Sequence, residues 1–276
     1  MTRVAVVGLG LIGGSLALAT RARGYDRDAA VRQRARRRGI DARETLEDAL
    51  ADAEIVVTSV STGATPDLLR EASAIAPLAV LTDTASLKMP IVAAAQTLRS
   101  GTRFVAGHPM AGSRRDGVEA ADPALFEGRP WILVTTARSD EAAIATVQEL
   151  ARSLGARPVL LDAERHDRLM TWISHLPHAV ATSLARAAAA GAGPDLPALA
   201  GPGFLDTTRI ADRRPELALE LALADPDALA RSIDSVTVEL TRLATALRDR
   251  DEQKLREFFE QARAARQAAE PREGKT

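Results

Sequence analysis

Apolar residues follow two different rhythms along this chain, and the change falls near residue 162. Before it, short runs rich in β-branched residues stand at 4–7, 54–60, 78–83, 103–106, 131–135 and 158–161. Runs that are apolar without alternation are strands buried on both faces. Between them, helical spacing predicts helices over 11–22, 29–38, 46–53, 66–75, 90–98 and 140–154, with Pro66 and Pro90 opening two of them. Gly24 is the expected cap of the first. Strands alternating with helices predict an α/β domain built on a doubly wound, mostly parallel sheet. One element falls short. Only Tyr25 separates Gly24 from Asp26, too little chain to climb back along a sheet at about 3.3 Å per residue, so either the first helix is shorter than it looks or the second strand is truncated.

Beyond 162 the strand pattern stops. Helical stretches run over 164–190, 215–223, 226–248 and 251–267, interrupted by glycine-proline clusters at 191–194 and 201–203. The prediction is a second, all-helical domain, with the division at 1–162 and 163–276. Its apolar faces (Leu217, Leu221; Ile233, Val236, Leu240, Leu243) are wider than one small bundle needs, and subunit association is the simplest outlet for them.

Composition narrows the function classes. Over 276 residues the net charge is −1, which gives no electrostatic case for nucleic acid or an anionic membrane. No apolar run reaches membrane length, and the apolar N-terminus carries glycines in a phosphate-loop pattern, so neither a span nor a targeting segment is expected. The absence of cysteine rules out disulfides and thiolate metal sites and fits a cytoplasmic setting. With 3% aromatic residues, Trp131, Trp172 and Phe204 are rare enough to be worth locating.

The candidate chemistry begins where the first strand ends. Gly8, Gly10 and Gly13 form G-x-G-x-x-G directly after that strand and at the start of a helix. The first glycine permits the turn, the second admits a pyrophosphate, and the third lets helix pack on strand, as in a Rossmann-like fold. Leu11 and Ile12 in the first helical turn, and Ser59 near the end of the 54–60 strand, join the expected cofactor set. Asp26 stands about 20 residues after Gly8, where an acid would hold ribose hydroxyls, but the short strand makes it a doubtful ligand. The arginines from Arg21 to Arg38 either grip a 2′-phosphate, selecting NADP, or form a solvated helix face; the second is the simpler reading.

Ser86 and His108 both fall near the carboxyl ends of strands, where ligands bind in such sheets. His108, in a loop between glycines, suits proton abstraction near neutral pH; Ser86 offers a hydroxyl, or only a helix cap. His175 and His178 flank Pro177 at i, i+3 and can face one way. No carboxylate stands at a matching spacing, so no metal site is expected. His166, beside Asp162, Glu164 and Asp167, reads as a surface residue. Arg209 closes the loop 201–209, where a guanidinium suits a carboxylate; the alternative is an ion pair with Asp206 or Asp212.

Taken together, V-G-L-G-L-I-G-G-S (7–15), T-D-T-A-S-L-K (82–88), G-H-P-M-A-G-S (107–113), D-P-A-L-F-E-G (122–128), S-H-L-P-H (174–178) and G-F-L-D-T-T-R-I-A (203–211) resemble the prephenate and arogenate dehydrogenase family. The motifs span nearly the whole chain. The resemblance implies an NAD-dependent oxidoreductase of tyrosine biosynthesis that oxidatively decarboxylates prephenate to 4-hydroxyphenylpyruvate. It implies His108 as base assisted by Ser86, and Arg209 holding a substrate carboxylate. His178 and His175 would shape the ring pocket, with Ser113 and Arg114 at its border. It also implies a homodimer through the helical domain. Arg114 stands where an acid is common in the family, and Leu205 where a basic residue often occurs. A cation at 114 suits the keto acid better than arogenate's ammonium. The alternatives are an amino substrate (arogenate or 4-amino-4-deoxyprephenate), a general hydroxyacid dehydrogenase, or a silent dinucleotide-binding dimer that has lost a strand.

Overall fold

A computed structural model describes residues 2–113 and 115–270. The chain divides into two compact units between Met170 and Thr171. The first unit contains β1 (Val4–Val7), α1 (Leu11–Thr20), β2 (Arg23–Tyr25), α2 (Ala29–Arg37), β3 (Asp41–Ala42), α3 (Leu46–Leu50), β4 (Ile55–Thr58) and α4 (Thr65–Ile75). It continues through β5 (Val80–Asp83), α5 (Met89–Ala95), β6 (Arg103–Pro109), β7 (Pro130–Val134), α6 (Glu141–Ser153), β8 (Arg157–Leu161) and α7 (Ala163–Met170).

The strands form one sheet in the order β3-β2-β1-β4-β5-β6-β7-β8. All neighbours are parallel except β6 and β7. The central strands β1 and β4 are almost wholly apolar because both faces are covered. Val4, Val6, Ile55 and Val57 enter one core with Leu16 and Val147; Ala5, Val7, Val56 and Leu81 enter the other with Leu69 and Ile91. Alternate residues of one strand thus feed opposite cores. Trp131 is fully buried in the first core against Phe126.

The second strand is present, which corrects the expectation of a truncation and leaves the other alternative, a first helix shorter than its pattern. α1 ends at Thr20, two residues early, and Arg21 turns the chain in a left-handed conformation with φ 54°. That leaves Arg23–Tyr25 to pair with Ala5–Val7. Gly24 is therefore not a helix cap but the middle of β2, where a Cβ would come within 2.8 Å of Leu9. α7 belongs to the first unit, with Ala163, Leu169 and Met170 joining its second core. The boundary between the compact units, at Met170, thus lies beyond the expected 162.

The second unit is helical throughout its described residues. A π-helical turn over Thr171–His175 leads into α8 (Leu176–Ala192), then α9 (Leu196–Leu199), α10 (Pro202–Thr208), a 3-10 turn over Arg209–Asp212, α11 (Pro215–Ala222), α12 (Pro226–Asp249) and α13 (Glu252–Ala268). The long helix expected over 164–190 is thus α7, a π turn and α8 in succession. Pro177 sits in the first turn of α8, directly after the π turn. Leu219, Leu223, Val238, Leu240 and Phe259 are exposed on this unit. No helix among the described residues is long and apolar enough to cross a membrane.

Candidate active site

The glycine turn is built by close backbone approach. The Gly8 N–H donates to the Tyr25 carbonyl at 2.8 Å. Gly8 has φ +93°, and a Cβ there would lie 2.2 Å from the Ser59 carbonyl oxygen. A Cβ at Gly13 would lie 1.8 Å from the Gly8 carbonyl oxygen. Gly10 is different. Nothing stands within 4 Å of its Cβ position, so its missing side chain leaves open space rather than packing room. No side chain caps α1 at Gly10, and its first turn holds no acid. The N–H groups of Leu11, Ile12 and Gly13 are thereby left for an anionic ligand.

Asp26 lies at this turn. Its Oδ2 accepts the Leu9 N–H at 2.9 Å, and its Oδ1 accepts the Asp28 N–H at 2.9 Å. The short β2 suffices to bring the acid to the carboxyl edge beside the glycines. Ser59 follows β4, and its hydroxyl lies 3.0 Å from that of Thr84. The arginines of the neighbouring helix are partnered, and Arg32 donates to the Asp26 carbonyl at 2.8 Å. Arg32 and Arg36 pair with Glu44, Arg34 pairs with Glu119, and Arg38 donates to the carbonyls of Glu119 and Ala121. Open backbone at Gly10, an uncapped helix and a carboxylate at the β2 end fit a dinucleotide with free ribose hydroxyls.

β6 runs further than expected, so His108 belongs to the strand and pairs with Ile132 across β7, rather than sitting in a loop. Its Nδ1 lies 2.9 Å from Nε2 of His166. This overturns the placement of His166 at the surface: its side chain is fully buried. Nδ1 of His166 lies 2.6 Å from Asp167 Oδ1. That oxygen also accepts the Lys88 N–H at 2.8 Å, while Oδ2 accepts the Met89 N–H at 2.9 Å. Burial opposes ionisation of Asp167, but the bonds from His166 and the two N–H groups outweigh it and hold the carboxyl below its ordinary value. His166 and Asp167 are the residues sequence reasoning missed. The available signal was the stripe Ala163, His166, Met170, which places the histidine on the inward face of α7.

Lys88 and Asp83 form a fully buried ion pair. The Lys88 ammonium also donates to the Gly107 carbonyl at 2.6 Å, and Asp83 accepts the N–H groups of Gly107 at 3.0 Å and Ala85 at 2.9 Å. These bonds stitch the ends of β5 and β6 together beside partly buried Ser86 and His108. Ser113 is exposed and accepts the Arg115 N–H at 3.2 Å; Arg114 lies outside the described residues.

In the second unit, α8 packs on the turn 209–212. His175 is buried and His178 partly so. Arg209 follows α10 at the start of a 3-10 turn, not within an extended loop. Desolvation and then the Arg213 charge push His178 below its ordinary value, so it is neutral at pH 7. Desolvation and then Arg209 lower Arg213 in turn. Arg209 and Arg213 thus form one positive locus beside His178.

Family models described as "Prephenate dehydrogenase, nucleotide-binding domain" and "Prephenate dehydrogenase, dimerization domain" match residues 16–160 and 162–261. The chain is 34% identical to a prephenate dehydrogenase of Lactococcus lactis, covering 99% of this chain and 79% of that protein. It is 32% identical to a cyclohexadienyl dehydrogenase of Zymomonas mobilis, covering 96% and 95%. Among solved structures it resembles prephenate dehydrogenase from Aquifex aeolicus in complex with hydroxyphenyl propionate and NAD+ (TM-score 0.86, 29% identity, 98% and 99% covered). It also resembles Synechocystis arogenate dehydrogenase (TM-score 0.79, 31% identity, 97% and 99% covered).

Proposed function

The chain belongs to the prephenate dehydrogenase family, and from that premise we propose that it oxidatively decarboxylates prephenate to 4-hydroxyphenylpyruvate with NAD. The observation that carries this reading is His108, held at the carboxyl end of β6 in the same unit as the glycine turn and Asp26. When bound, NAD supplies the acceptor for the C4 hydrogen as hydride. The N–H groups at the start of α1 hold the pyrophosphate, Asp26 binds the ribose hydroxyls, and its charge disfavours a 2′-phosphate. Leu11, Ile12 and Ser59 line that site.

His108 takes the proton of the C4 hydroxyl as the C4–H bond breaks, and Ser86 orients that hydroxyl. The C–C bond to the ring carboxylate then breaks and CO2 leaves. Its electron pair enters the ring, making it aromatic with a phenolate oxygen. That oxygen takes the proton back from His108. Arg209 and Arg213 meet substrate carboxylates, and neutral His178 with His175 shapes the ring pocket, bordered by Ser113 and Arg114. Two clustered guanidinium groups suit a dianion and repel the ammonium of an amino analogue. That favours prephenate over the arogenate used by the Synechocystis relative. The domains are read as 1–162 for the dinucleotide and 163–276 for substrate and dimerisation, with α7 packed on the dinucleotide unit. The exposed leucines of the second unit support a homodimer, and the enzyme works in the cytoplasm beside its NAD pool.

The test is NADH formation from prephenate and arogenate side by side, with NAD and NADP. Prephenate with NAD is expected to turn over best, and His108→Asn to lower kcat by roughly 10²–10⁴-fold. Equal turnover of arogenate overturns the substrate choice; an unaffected His108→Asn overturns the base.

A further inference from the structure

The chain His108–His166–Asp167 uses every polar atom of His166, and its polarity is fixed from one end. Asp167 accepts backbone N–H groups from both Lys88 and Met89 at the start of α5. With its pKa held down, it is an anion that accepts only. The 2.6 Å contact therefore requires the proton on His166 Nδ1. A neutral His166 then has a bare Nε2. The 2.9 Å contact to His108 Nδ1 requires a proton between the rings, and only His108 can supply it. That tautomer places the lone pair of His108 on Nε2.

We propose that His166, anchored by Asp167, is a positioning residue that selects the basic tautomer of His108 and shares the positive charge when His108 takes the substrate proton. The inference rests on the reading of His108 as base. Full burial of His166 strengthens the contact, because no water competes for either ring nitrogen. Among the described residues, Lys88 and Asp83 are further charges packed there; they pair with each other and with Gly107, and the Lys88 charge also acts on Asp167. Protonating His166 reverses the chain: its Nε2–H then donates to His108, the His108 proton moves to Nε2, and the base is lost.

Two substitutions at one position test this. His166→Gln keeps a donor for Asp167 and an acceptor for His108; His166→Phe keeps the ring volume and neither bond. His166→Phe is expected to lower kcat by about 10²-fold, with KM for prephenate and affinity for NAD within about twofold of the parent. It also moves the acid limb of the kcat profile to lower pH, because imidazolium at 108 has lost its acceptor. His166→Gln is expected to recover at least about a tenth of the parent kcat. Asp167→Asn, which turns a donor toward His166, is expected to resemble Phe. Equal kcat in the Phe and Gln variants, or a Phe variant with parental kcat and acid limb, overturns the positioning role. His108→Asn is run alongside: if it retains activity, the base assignment has failed instead. Should the Phe variant melt more than about 10 °C early, the Gln variant's acid limb decides, parental if the inference holds and shifted if it does not.

Discussion

At the scale of single residues, a few backbone N–H groups decide which acids matter. Asp26 is held by the N–H of Leu9, which aims the carboxylate at the glycine turn. Charge-assisted hydrogen bonds of about 1.5–3 kcal/mol are at stake there. Asp26→Ser is expected to lower kcat/KM for NAD by roughly tenfold or more and to narrow the preference over NADP, read from initial rates with each cofactor. Asp167 carries a pH signature. Its folded pKa lies below the unfolded one, so its contribution to stability is complete above about pH 4 and is lost as pH falls through the folded value. The difference in Tm between the parent and Asp167→Asn is expected to be constant from pH 6 to 8 and to shrink below pH 4. Asp26 was singled out by its spacing to Gly8, though as a doubtful ligand, and His108 by its nearness to a strand end, though it lies within β6. His166 was not, because its acidic neighbours in sequence suggested solvent, whereas one turn of helix carries it inward and carries Glu164 out.

Elements show where periodicity informs and where it stops. The β1–α1 unit and α11, α12 and α13 were readable within a residue or two, because their apolar spacing is long and regular. β2 was obscured by the end of α1: alanines and arginines continue a helix pattern through Arg23, and only the left-handed Arg21 stops it. β3, two residues long, has no periodicity to read. The ends of β5 and β6 depend on a polar device invisible in any pattern, the buried Lys88–Asp83 pair. Removing one partner leaves the other charged and unpaired, a loss of about 3–5 kcal/mol. Lys88→Met is expected to lower stability by that order in urea titration. The exposed Arg242–Glu239 pair, broken by Arg242→Ala, is expected to cost under about 1 kcal/mol.

For the molecule as a whole, two compact units and a surface rich in leucine are the dominant facts. Leu240 is 59% exposed and Val238 50% on α12. If these side chains meet a second copy, the protein sediments at about twice its 29.3 kDa mass. Leu240→Glu is then expected to shift it toward monomer at micromolar concentration, by analytical ultracentrifugation. The all-helical character of the second unit was legible from its spacing alone. The assignment of α7 to the first unit was not, since Ala163, Leu169 and Met170 reveal their partners only once the sheet is built.

The strand order has a further consequence, for behaviour in concentrated solution. The sheet ends in β3 on one side and β8 on the other. β3 offers two residues, too few to template a neighbouring chain. β8 is longer, but Pro158 removes one amide and Arg157 places a charge at its start. Both rims are thus poor seeds for intermolecular β-pairing, so the sheet is guarded at its borders rather than at its apolar centre.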